Sequence, residues 1–504
     1  MLSAAGFSDW NPSHFLDVAE MTAALAIGYD WLYQDLPQTS RDTIRQAIMD
    51  KGIEPALKVT HYVRGHNNWN QVCNAGITMG ILAVMEDQPE LARKLVHRAV
   101  NGVQVVMAGY EPDGAYPEGP GYWVYGTSFN VLLLATLDSV LGTDFGLSEA
   151  PGFASSAAYY LHVAGPTGQY FNYPDSGSRG SFQPTVFWFA QRYRQPSLAW
   201  HQHQLWEDVL PRDPSTLVRS RLAPLTLLWC QGEPAVPQAL CWRGRGSNGV
   251  AMFRSSWTDP DAVYLAIKGG SPGVSHGHMD VGSFVIDAEG LRWAVDLGPE
   301  GYHKIESRGM DLWSRGQNKQ RWTIFRYNNL SHNTLVVDDQ HQRVDGHAPI
   351  VRYSDRKAFP HVVFDISAVY KGQLAQALRG ASLLPAGQVL IQDEFKATDQ
   401  PATVRWAMVT PADVSIETDK TALLTQEGKR MRLTVLTEAE VQLKTYSTEP
   451  KADYDAPNPG TRMVGFEVSL PAGHTARTAV LLGPPAAEAS LDLRPLLQWS
   501  PEPR

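Results

Sequence analysis

The pattern of apolar positions divides the chain in two. From about residue 15 to 230 it runs in segments of helical length, and beyond about 245 it alternates with a period of two. Glu20–Ile27 is alanine-rich and helix-prone. Ser40 offers an N-cap for a helix over Ile44–Lys51. Val72–Met85 is almost continuously small and apolar, as expected for a helix buried between others. Pro89 opens the next helix and Thr127–Leu141 forms another. Loops rich in Gly, Pro and aromatics join them, which suggests antiparallel helical hairpins arranged as a bundle or toroid. The pattern changes at Gly232-Glu233-Pro234-Ala235-Val236-Pro237. Val263–Ile267, Asn333–Val337, His361–Phe364 and Arg432–Leu436 then read as strands, separated by turn clusters such as Pro385-Ala386-Gly387 and Pro471-Ala472-Gly473. The expected fold is multidomain α+β, with a helical domain over 1–235 and an antiparallel β-sandwich over 236–504.

Composition narrows the function. A chain of 504 residues, 43% hydrophobic and 10% aromatic, supports more than one core. A net charge of -9 argues against a protein that coats nucleic acid, yet leaves room for a local basic cleft that takes an anionic substrate. No apolar run is expected to cross a membrane. Cys73, Cys230 and Cys241 are too few for a disulfide framework; one Cys230–Cys241 bridge is conceivable, but free thiols are expected. Met1–Gly6 lacks the features of an export signal, and Phe7–Pro12 reads as the middle of a domain already under way.

Three segments carry candidate chemistry. In His66-Asn67-Asn68-Trp69-Asn70 the amides either cap the helix that follows or donate hydrogen bonds to a ligand carboxylate, and Trp69 offers a platform for a sugar. In Asp113–Gly126, Tyr122 and Tyr125 fall roughly on one side of a helix start and suit general acid or base work. Trp123 either packs or lines a cleft, and Asp113 with Glu118 resembles the carboxylate pair of a glycoside hydrolase. In the third, Ser275–Phe284, His276 and His278 leave one face if the segment is a strand. His278, Asp296 and His332 then make a plausible set for zinc or manganese, leaving His276 for proton transfer. Tyr302 and Arg326-Tyr327-Asn328-Asn329 are candidates to line the same cleft, and Arg179 to pair with an anion. No dinucleotide fingerprint, Walker loop or nucleophile elbow is present.

Four blocks, Asn67–Asn74, Tyr116–Trp123, His276–Phe284 and Ser331–Thr334, resemble in their order the heparinase II/III-like polysaccharide lyases. The resemblance implies an N-terminal (α/α) toroid before antiparallel sheets; here the toroid is expected to lack early helices and so to be incomplete. It implies β-elimination on uronate polysaccharides, glycosaminoglycans or alginate. Asn67, Asn68 or Asn70 would neutralise the substrate carboxylate, Tyr122 or Tyr125 would protonate the leaving oxygen, and His276 would be the base for one uronate epimer. His278, Asp296 and His332 would hold a mainly structural divalent metal. Family members with a catalytic His in the first block differ from this chain, which has Asn67 or Asn68 there beside His66. The resemblance also leads to a periplasmic or secreted location. Rival readings are a uronyl C5-epimerase, a hydrolase using Asp113 and Glu118, and a sugar-binding protein without turnover.

Overall fold

The computed structural model describes residues 1–209, 211–215, 220–487 and 493–499. Its first half is helical: α1 (Leu2–Ala5), α2 (Phe15–Trp31), α3 (Gln38–Ala47), α4 (Glu54–Lys58), α5 (Asn68–Leu82), α6 (Pro89–Met107), α7 (Gly119–Tyr122), α8 (Ser128–Leu141), α9 (Ser156–His162) and α10 (Thr185–Arg192). The expected buried helix is α5. All its residues but Trp69 are buried, and α2, α6 and α8 pack around it. Ser40 lies inside α3, which starts two residues earlier at Gln38, so it caps nothing. A π-helical turn, Trp123–Thr127, joins α7 to α8. The resulting run Gly119–Leu141 is long and apolar enough to cross a membrane, where the sequence reading expects no such run. An 18-residue apolar stretch within it is 56% buried, and the run packs against α5.

The second half is antiparallel sheet. Strands β1 (Cys241–Gly244), β2 (Val250–Arg254), β3 (Tyr264–Lys268), β4 (Phe284–Ala288) and β5 (Leu291–Ala294) form one sheet in sequential order. With β6 (Leu335–Val337), β7 (Ile350–Ser354), β8 (His361–Asp365), β9 (Leu374–Leu383), β10 (Val389–Ala397), β11 (Ala402–Thr410), β12 (Asp413–Thr418), β13 (Thr421–Gln426), β14 (Lys429–Thr437), β15 (Lys444–Tyr446), β16 (Arg462–Leu470) and β17 (Thr475–Gly483), the rest build an eight-stranded sheet (β12-β13-β14-β17-β10-β9-β8-β7) and a four-stranded one (β15-β16-β11-β6). All three cysteines are free thiols.

The five-stranded sheet joins the two halves. Val250, Met252, Tyr264 and Ala266 belong to the helical core, while their neighbours Ala251, Phe253, Leu265 and Ile267 belong to the core between the sheets. Alternation sends successive side chains to opposite faces. Because both faces are covered, β2, β3 and β4 are buried at every position and are mostly apolar, each carrying one buried charge, Arg254, Lys268 or Asp287.

Candidate active site

The segment that carries His276 and His278 is not a strand. It is a series of turns before β4, and His276 sits in the left-handed region at φ 59. That region is uncommon for a residue with a side chain and marks a backbone held by its surroundings. Arg321, 1% exposed, does the holding. Its Nη2 donates to the carbonyls of His276 (3.1 Å) and Gly277 (2.9 Å), and its Nε donates to Gly277 O (3.1 Å). The same Nη2 reaches Asp175 Oδ2 at 3.0 Å.

Asp175 brings the two histidines together. Its Oδ2 lies 3.2 Å from His276 Nδ1, and its Oδ1 lies 2.8 Å from His278 Nε2. Burial alone would raise its pKa; the Arg321 guanidinium and the two imidazole hydrogen bonds outweigh burial and hold it well below the usual carboxylate range. Asp175 arrives on a loop that packs under α7. Gly119 makes this approach possible: at φ 79, a Cβ there would overlap Tyr173 O and the Pro174 ring. Gly121 N then donates to Ser176 Oγ at 3.0 Å.

The α7 end places Tyr122 flat on His276, with ring centroids 3.7 Å apart and planes at 19°. Tyr122 Oη is 3.0 Å from Tyr302 Oη, which is 3.2 Å from His276 Nδ1. Burial raises the Tyr122 pKa, and the hydrogen bond with Tyr302 only partly offsets this. Tyr122 therefore keeps its proton at neutral pH. With Nδ1 of His276 turned to Asp175, the basic nitrogen is Nε2, which faces Glu118 Oε1 at 3.7 Å.

Glu118 belongs to a second polar group. Its Oε2 accepts the Asn68 backbone N–H at 2.8 Å and the Tyr116 hydroxyl at 3.2 Å, and Asn68 Nδ2 lies 3.3 Å away. A carboxylate, not an asparagine side chain, thus caps the N-terminus of α5, where the helix dipole favours negative charge. Tyr116 also donates to Gln71 Oε1 at 2.7 Å.

Other expected residues have other places. Asn70 Nδ2 donates to the carbonyls of Val63, Gly65 and Gly102, so it ties backbone together and has no amide hydrogen left for a substrate carboxylate. Asn328 is likewise spent on Trp322 O, Ile324 O and Leu330 N. Trp123 is fully buried and stacked on Tyr160 at 4.2 Å, so it is core and not a sugar platform. Tyr125 donates to Glu20 Oε1 at 2.5 Å and lines, with Arg179, a cavity of about 620 Å³ that includes neither Tyr122 nor His276. Trp69 is half-buried against His14 and His61, His66 is exposed, and Asn67 stands at the N-cap of α5 with a non-helical backbone. Asp113 is clasped by Arg245 (3.0 Å), whereas Glu118 holds the start of α5.

The expected metal ligands are partly assembled. His332 precedes β6 in a bend, outside the strand expected from Asn333 onward. Its Nδ1 is 2.7 Å from Asp296 Oδ2, and its ring is 5.4 Å from that of His278. His278 Nδ1 and His332 Nε2 are buried without a partner. Each ring's other nitrogen faces a carboxylate, so a neutral ring turns its lone pair to the orphaned nitrogen, the state a metal requires; burial favours that state at His278, whereas at His332 Asp296 outweighs burial and raises the pKa. The two histidines fit a divalent ion, while Asp296 is engaged with His332. Among the described residues no group of three His, Cys, Asp or Glu side chains is arranged as a ligand set. Asp175 and Arg321 lie outside the three segments and four blocks singled out above, and Tyr116 lies inside one without a role expected of it.

Residues 246–476 match the family model of the heparinase II/III-like C-terminal domain. No curated protein matches the chain. Solved structures share its fold at low identity. Heparinase III, the BT4657 gene product, is 16% identical with a TM-score of 0.62, covering 94% of this chain and 67% of its own. A second heparinase III is 14% identical with a TM-score of 0.63, covering 93% and 69%. The heparan sulfate lyase HepC from Pedobacter heparinus is 16% identical with a TM-score of 0.63, covering 94% and 68%. Residues 246–476 therefore carry a heparinase II/III-like C-terminal domain, and the helical half and the antiparallel sheets together share the fold of these solved structures.

Proposed function

We propose that the protein is a polysaccharide lyase that cleaves uronate-containing polysaccharides by β-elimination. The stacked Tyr122–His276 pair, backed by Asp175, is the observation that carries this reading. In the reaction a base removes the C5 proton, the C–H electron pair becomes the C4–C5 double bond, and the C4–O4 pair leaves with the oxygen. His276 Nε2 is the base for one uronate epimer. Tyr122, kept protonated by burial, gives its proton to O4. The amides of Asn67 and Asn68, at the positive end of α5, take the substrate carboxylate and make the C5 proton more acidic. Glu118 is a positioning residue that fixes Asn68.

A divalent ion, zinc or manganese, would be held by His278 and His332, with Asp296 released from its hydrogen bond to join them. When bound it supplies fixed positive charge that braces the turns behind His276. Asp175 orients His276 with or without it.

The test is ultraviolet absorbance of the conjugated C4–C5 double bond during incubation with alginate, hyaluronan, chondroitin and heparan sulfate. A rise with a uronate polymer supports the reading. Shorter chains with saturated ends mean hydrolysis, and inverted C5 without cleavage means epimerisation; either result sinks it.

A further inference from the structure

The short helix Tyr302–Glu306 leads into an irregular strap, residues 307–319, that returns the chain to Gln320–Thr323. The strap is anchored around its middle. Leu312, 1% exposed, enters a small apolar cluster with Met279, Ile305 and Trp322. Asp311 N donates to Gln320 Oε1 at 2.7 Å, and Asp311 Oδ1 accepts the amides of Trp313 (3.2 Å) and Ser314 (3.0 Å). Trp322 Nε1 donates to Gly316 O at 2.9 Å. Arg321, which fixes Asp175, also reaches Leu312 O at 3.4 Å.

Between these anchors Trp313 is left 49% exposed. Its indole N–H is fixed on Glu306 Oε1 at 2.8 Å, and its ring meets Tyr302 at 5.0 Å and His276 at 5.6 Å, edge-on in both cases. A large apolar ring held still in water, in contact with the reaction centre, has no packing purpose on its open side. Two residues on, Arg315 is exposed, and among the described residues it has no ion pair or hydrogen bond. A guanidinium with its donors free is suited to a planar oxyanion.

We infer that Trp313 and Arg315 form a saccharide subsite beside the Tyr122–His276 pair. The indole takes the apolar face of a sugar ring, and the guanidinium pairs with an oxyanion on that sugar or the next, a uronate carboxylate or a sulfate ester. The inference rests on the lyase reading for its substrate class. The anchored strap presents both groups before substrate arrives, so little ordering is lost on binding.

The experiment uses the full chain and two readouts. In turnover, Trp313→Ala raises KM on a cleaved uronate polymer about tenfold while kcat changes much less, and Trp313→Phe recovers most of the loss. Arg315→Ala raises KM and flattens its dependence on salt. The Arg315→Ala penalty on alginate and heparan sulfate alike assigns the carboxylate; a penalty on heparan sulfate alone assigns the sulfate. In binding, quenching of tryptophan fluorescence by alginate and heparan oligosaccharides is compared between the Tyr122→Phe protein and the same protein carrying Trp313→Phe or Arg315→Ala. Weaker binding in the Arg315→Ala background supports the subsite even if the wild type forms no unsaturated product, in which case the lyase reading alone fails. Unchanged KM in both the Trp313→Ala and Arg315→Ala proteins, with product formed, overturns the subsite and leaves the lyase reading standing.

Discussion

His276 and His278 share one carboxylate and differ in almost everything else. His276 lies at the cleft, stacked on Tyr122 and in contact with Tyr302. His278 is fully buried, turned toward His332, with one nitrogen unpartnered. Burial lowers the His278 pKa, and the Asp175 hydrogen bond only partly restores it, so this ring is neutral and suited to a metal. On the proposed reading, two residues of separation divide proton transfer from scaffolding. Access to the cleft, more than residue type, decides which role each imidazole can take.

Removing what the two share breaks the comparison altogether. Asp175→Ala leaves Arg321 buried without its counter-ion, and the expected loss is about 3–5 kcal/mol of stability together with activity. Urea denaturation followed by circular dichroism measures it; a variant as stable as the wild type would mean that Asp175 is not the keystone of this cluster.

Striking only the cleft side is the next largest effect. Tyr122→Phe and His276→Ala should each lower kcat/KM on a uronate polymer by about 100-fold or more with the fold retained, His276→Ala on the epimer it serves. Tyr125→Phe, whose hydroxyl is committed to Glu20, should change it by less than about threefold. Equal losses for Tyr122→Phe and Tyr125→Phe would remove the reason for choosing between them.

The buried side is addressed by metal. Zinc or manganese at about 100 times its dissociation constant should add about 2.7 kcal/mol to stability, and His278→Ala should abolish that gain. Metal analysis and thermal melting report it independently of turnover. A wild-type melting curve indifferent to both ions, with none bound after purification, would refute the proposed ion.

A smaller effect sharpens the cleft side. A phenol whose folded pKa is raised keeps its proton to higher pH. The alkaline fall of kcat/KM should thus lie above the ordinary tyrosine value of 10. A fall centred below it that disappears in Tyr302→Phe would argue against a buried donor.

The division into helices and sheets was legible because its periods are long-range averages. The site was legible in part. His276, Tyr122 and Asn68 sit in blocks whose order carries the family likeness. The strand assigned to His276 and His278 failed because a left-handed turn leaves no periodic trace. Asp175 and Arg321 were missed as partners because they act over separations of 101 to 146 residues. Asn70 and Asn328 show a different limit: an amide that ties backbone carbonyls reads the same in sequence as one that binds substrate.

Those separations also bear on how the molecule is made. Helices α5 and α8 and the hairpins of the five-stranded sheet close over short stretches of chain, whereas Asp175 meets His276 only across a loop of 101 residues. Closure of long loops comes at an entropic cost that local structure does not bear. During refolding, helical and sheet signals should return before the Asp175–His276 contact does, and that contact serves as a late marker of correct assembly between the two halves.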